Sequence, residues 1–158
     1  MIFRFGNITV DADVEQTRLF YENASLITDS CRCADCRNFE AAADQLPFTV
    51  KRFFADLGVD LKKICECYTL STGPDGWVCY GGFCHICGIL LKGNESFYWI
   101  RDNSNPINHK PAAKRNYWAA FSDRADLLED GFPMPVLQID FKLDVPWVLE
   151  PEQQSSNV

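Results

Sequence analysis

Basic charge is in deficit in this chain. Its 158 residues carry 15 Lys and Arg against 22 Asp and Glu, a net charge of -7. A field of that sign repels phosphate backbones, and the one basic cluster, Lys110 to Arg115, is outweighed by the acidic remainder. No nucleic-acid binding is expected. Long apolar runs are missing too: no window nears the roughly 18–20 apolar residues of a membrane span. The opening MIFRFGNITVDAD, charged already at Arg4, does not read as a signal peptide. A cytoplasmic protein without a membrane partner is therefore expected. Glycine-rich phosphate loops, a nucleophile elbow and H-E-x-x-H are also absent, so no catalytic residue is assigned and a binding protein is favoured over an enzyme. Asp11, Asp13 and Glu15 recur at period two but lack the glycine and terminal glutamate of a calcium loop, which leaves a turn or strand edge.

Core-forming material is plentiful. The composition is 47% hydrophobic and 13% aromatic, enough for one domain, expected over residues 1–150 with a flexible tail at 151–158. Ile2 to Val10 and Glu15 to Tyr21, rich in β-branched and aromatic residues, read as two strands joined at Asp11 to Asp13. Cys36, Phe39, Ala43 and Leu46 recur at helical spacing, and so do Val50, Phe53, Phe54 and Leu57. Pro47 separates these two stripes and Gly58 closes the second, predicting helices over Asp35 to Leu46 and Pro47 to Leu57. Downstream, Gly73-Pro74-Asp75-Gly76 marks a turn between two β-like runs. ESFYWI, NYWAAFS and PVLQIDFKL supply three more strands, the last alternating Leu137, Ile139, Phe141 and Leu143 with polar residues. Arg101 to Pro111 reads as a polar loop holding His109. The expected fold is α+β: a mainly antiparallel sheet with a pair of short helices packed on it.

Eight cysteines carry most of the chemical signal. In a reducing compartment they are core residues, ligands or redox groups rather than disulfides. Cys31, Cys33 and Cys36 form C-x-C-x-x-C in polar company where the first long helix begins, and a helix N-terminus favours thiolate. That spacing suits a zinc ion, which needs four ligands, so one must come from elsewhere. Candidates are the C-x-C of Cys65 and Cys67 and the run Cys79, Cys84, His85 and Cys87. His85 is the chosen fourth ligand, with Cys87 next, because an imidazole on a rigid strand is well aimed; a hydrogen-bonded core histidine is the competing reading. Cys65, Cys79, Cys84 and Cys87 otherwise read as small core residues. If the strand is regular, Cys79, His85 and Cys87 share a face and Cys84 points away, unless Gly81-Gly82 hosts a bulge.

The rival for the triplet is a thiol-dependent oxidoreductase using Cys33 and Cys36. Such an enzyme would set its C-x-x-C between a strand and a helix of a βαβ unit, whereas the flanking chain here reads as hairpins.

CxCxxCRNF, LGVD, CYGGFCHICG and FPMPVLQIDFKLDVPWVLE together resemble a group of uncharacterised bacterial proteins. The resemblance spans most of Cys31 to Glu150 and implies that Cys31, Cys33, Cys36, Arg37, Asn38, Phe39 and Trp147 belong to one architecture. It implies no activity. The combined expectation is a zinc-stabilised protein of immunity or accessory type that binds a basic protein partner.

Overall fold

The computed structural model describes residues 1–102 and 115–150. Most of the expected loop, with His109, and the tail at 151–158 lie outside the described residues. Strand β4, Trp77–Lys92, organises everything else. It pairs with β7, Val136–Pro146, in one unbroken register from Trp77↔Pro146 to Cys87↔Val136. No bulge therefore interrupts Gly81-Gly82, and Cys79, His85 and Cys87 share a face opposite Cys84 as regular alternation requires. Gly82 is needed for a different reason: a Cβ there would collide with the Glu66 carbonyl and lie 2.7 Å from the Phe141 ring.

Beyond β7 come β6, Tyr117–Ser122, and β5, Phe97–Trp99; on the other side lie β2, Ile8–Ala12, and β1, Ile2–Phe5. The order is β1-β2-β4-β7-β6-β5, with β3, Glu66–Thr72, also on β4, and every pair is antiparallel. All seven strands belong to one sheet. The expected α+β class is what the chain adopts.

One edge of β4 is shared. β3 covers Val78 to Phe83 and β2 covers Gly88 to Lys92, so the backbone from Cys84 to Cys87 faces no strand on that side. Helix α1, Val14–Asn23, fills the gap with side chains. The Tyr21 hydroxyl donates to the His85 carbonyl at 2.7 Å and accepts from the His85 amide at 3.2 Å. Thr17 Oγ1 accepts from the Cys87 amide at 2.9 Å. Here the strand expected over Glu15 to Tyr21 is overturned. Asp13 caps a helix instead, accepting from the Gln16 amide, and the four-residue spacing of Thr17 and Tyr21 puts both against β4. β-Propensity loses to the cap and to three buried hydrogen bonds. The strand expected over Ile2 to Val10 is likewise a hairpin, β1 and β2, turning at Gly6 with φ +59°.

After the short helix α2, Ile27–Ser30, the predicted pair of helices appears as α3, Ala34–Ala42, extended by a 3₁₀ turn over Ala43–Gln45, and α4, Phe48–Asp56. Gly58 closes α4 at φ +88°, a conformation that side-chain-bearing residues rarely adopt. Their apolar stripes reach the sheet as expected: Phe39 and Phe54 pack on Phe141, and Phe53 packs on Phe5, Tyr98 and Phe121. Phe39, Val50, Phe53 and Leu57 are all buried. Each such side chain contributes about 1.5–3 kcal/mol of burial free energy, and these stripes are what fix α3 and α4 on the sheet.

Candidate metal centre

The C-x-C-x-x-C segment spans the joint between α2 and α3. Cys31 follows α2 in extended conformation, Cys33 is the N-cap of α3, and Cys36 lies in its first turn. An N-cap side chain must turn back over the helix start, and the Cys33 sulfur does so, accepting from the Cys36 amide at 3.4 Å. That geometry sends the three side chains inward together. Cys31 Sγ lies 3.3 Å from Cys33 Sγ, and all three sulfurs fall within 4.8 Å of one another. A tetrahedral zinc with bonds near 2.3 Å sets its sulfurs roughly 3.8 Å apart, inside that range. The first expectation from the spacing is met.

The structure does not bring His85 to this cluster. His85 is fully buried and sits with Cys65 and Glu129 instead. The further cysteine nearest the triplet in the fold is Cys67, on β3, which lines the same groove as Cys31 and Cys36. His85 is therefore not at the triplet's fourth position. Register explains the outcome: Cys67 pairs opposite Gly82, where the absent side chain lets β3 and α3 close together over β4. Cys87, the second choice, lies beneath α1, its amide on Thr17.

The electrostatics of the cluster follow from burial and from the hydrogen bonds among its thiols. Hydrogen bonds from the Cys33 backbone and from the Cys33 and Cys36 side chains hold the Cys31 thiol below its ordinary pKa. Burial, with the hydrogen bond to Cys31, drives Cys36 strongly upward. Burial also pushes Cys67 up to about 12. Thiols this close cannot all ionise unless a positive charge is placed among them. A divalent ion would offset two of those negative charges and give each sulfur a bond.

The same facts weigh against a dithiol enzyme using Cys33 and Cys36. Cys36 is buried with its pKa raised, which unsuits it as the attacking thiol. The segment is preceded by a helix, and no parallel strand pair exists among the described residues. All eight cysteines are free thiols. Cys84 is a core residue, fully buried with its pKa raised well above the ordinary value by desolvation, and Cys79 is half-buried beside Asp144. The acidic run near the N-terminus is structural: Asp11 pairs with the terminal amine at 2.9 Å and Asp13 caps α1.

Cys31, Cys36 and Cys67 line a groove of about 470 Å³ between α1, α2 and the start of β3, which also includes Cys65 and Glu129. No helix among the described residues is long and apolar enough to cross a membrane. Comparison with protein-family models, curated proteins and solved structures returned no match.

Proposed function

We propose that the chain is a zinc-stabilised binding protein: one zinc ion held by Cys31, Cys33, Cys36 and Cys67, and a basic protein as partner. The observation that carries the reading is a triplet whose sulfurs lie within 4.8 Å of one another, with Cys67 lining the same groove as Cys31 and Cys36. Four thiolates close the coordination sphere of zinc and leave no position for substrate, which is the pattern of a structural site. The ion would cross-link α3 to β3 at the one place where the helix pair meets the first strand after it. The partner reading is supported by the net charge of -7, which attracts cationic surfaces. Unbridged thiols fit a reducing compartment such as the cytoplasm.

Zinc content and chelator competition on untagged protein test the site. Cys33→Ser and Cys67→Ser should each weaken zinc retention, whereas Cys84→Ser, in the core, should not. Unchanged retention in both Cys33→Ser and Cys67→Ser removes the four-cysteine centre. The partner reading is tested by titrating an arginine-rich polypeptide, with association expected to weaken as salt rises. No association at low salt removes it.

A further inference from the structure

Gln138 on β7 is fully buried, although alternation along the strand assigns it to the polar face. Its amide orientation is fixed by its neighbours. The nitrogen and oxygen cannot be exchanged, because Nε2 faces two carboxylates, Asp126 and Asp140, each at 3.1 Å, and must donate to them. The oxygen faces the Asp126 amide at 2.9 Å and must accept. That same oxygen lies 3.3 Å from His85 Nε2, so Nε2 carries a hydrogen and donates to it. In a neutral ring Nδ1 is then a bare lone pair. It points at the Glu129 carboxylate, 3.3 and 3.5 Å from its two oxygens. Cys65 Sγ joins them, the three ligand atoms lying within 4.8 Å of one another.

Three electron-pair donors of three kinds thus converge where a buried acceptor facing an acceptor is costly. We infer that Cys65, His85 through Nδ1 and Glu129 form a second metal site, for a zinc-type divalent cation, distinct from the cysteine cluster. The spacing fits: tetrahedral nitrogen and oxygen ligands at about 2.0–2.1 Å stand roughly 3.3 Å apart. The support fits as well, since a ligating histidine ordinarily donates its other ring N–H to an acceptor that fixes tautomer and aim, and Gln138 does so here.

Cys65 is the ligand that must change state. Its thiol donates to the Leu127 carbonyl at 3.1 Å. Metal binding breaks that S–H bond, forms the metal–sulfur bond and releases one proton to solvent, so affinity rises with pH. An entry path exists, because Cys65 and Glu129 line the groove described above. With three protein ligands, the fourth position falls to water or another exchangeable ligand, unlike the closed four-cysteine centre. Cys65 and Cys67, two residues apart, serve one site each.

Zinc stoichiometry, together with cobalt(II) absorption, on the metal-stripped full-length chain tests the inference. The wild type should take up two equivalents, and Cys65→Ser and Glu129→Gln should each retain one under chelator competition. Neither substitution disturbs the deep core, because Glu129 is 25% exposed and Cys65 is half-buried; far-ultraviolet circular dichroism checks that both variants fold. One equivalent lost in Cys33→Ser but kept in Cys65→Ser and Glu129→Gln overturns the second site and leaves His85 and Glu129 as an ion pair. One equivalent lost in Cys65→Ser and Glu129→Gln but kept in Cys33→Ser supports it, and overturns the four-cysteine reading instead. A wild type that takes up no metal overturns both.

Discussion

Asn38, two residues after Cys36, offers the sharpest test of how the cysteine-bearing helix is held to the sheet. It is fully buried and uses both ends of its amide. Oδ1 accepts from the Val148 amide at 2.7 Å, and Nδ2 donates to the Pro146 carbonyl at 3.2 Å and to the Tyr80 hydroxyl at 3.3 Å. The Tyr80 hydroxyl in turn donates to the Asp35 carbonyl in the first turn of α3 at 2.8 Å. One side chain thus ties α3 to β4 and to the end of β7. In Asn38→Ala the Val148 N–H and the Pro146 carbonyl lose their partner while Tyr80 keeps Asp35. Each orphaned buried group costs about 1–3 kcal/mol, and because 146 and 148 are only half-buried the lower part of that range applies. The expected loss is about 2–4 kcal/mol. With a urea slope of about 2 kcal/mol/M, the unfolding midpoint should fall by roughly 1–2 M. Asn38→Asp should do no better, since it keeps the Val148 acceptor but sets a buried carboxylate against the Pro146 carbonyl. Asn23→Ala, removing an exposed amide that reaches only the Leu19 carbonyl, should stay within about 0.5 kcal/mol and serves as the control. All are measured in the same zinc-containing buffer. A midpoint for Asn38→Ala indistinguishable from that of Asn23→Ala would refute the clamp.

Phe53→Ala should cost about 3–5 kcal/mol in the same assay, since Phe53 is 6% exposed among Phe5, Phe54, Tyr98 and Phe121; an unchanged midpoint would mean that α4 packs on another face. The pH dependence should change sign with metal. Burial raises Cys65 and Cys67 to about 12, so in metal-stripped protein the unfolded chain loses these protons first, near pH 8.5, and stability declines as pH climbs from there toward 12. Metal affinity over neutral pH should instead rise with pH, because thiolates are the ligands, and identical pH profiles with and without zinc would contradict both assignments. A gel-shift titration at physiological salt should show no binding to DNA or RNA; submicromolar, salt-sensitive binding would overturn the charge argument.

Local pattern made the helix pair and the long strands legible. The stripes of Phe39 and Phe53 needed nothing beyond a 3.6-residue period, and β7 needed only its alternation. The segment from Glu15 to Tyr21 was misread because its composition favours strand, while the decisive facts were a cap at Asp13 and a four-residue gap in the pairing of β4. That gap exists only once β2 and β3 have both docked, and no window of neighbouring residues contains it. The triplet of cysteines shows the opposite case: its three sulfurs are near in sequence, so spacing sufficed.

The remaining ligands depend on register, which is why His85 looked like a partner for the triplet and is not one. Cys67 shares a groove with Cys36 because it pairs opposite Gly82, a register set by the turn at Gly73 to Gly76 and the shift between Thr69 and Ser71 rather than by any spacing to Cys36. His85 meets Gln138 because β4 and β7 pair without a shift, and Gln138 was assigned to solvent by the alternation that served so well elsewhere on β7. A buried polar residue on the nominally polar face of a strand signals that something polar covers it. Here the cover is the loop carrying Asp126 and Glu129, so the residue that alternation placed in water instead aims the ring of His85.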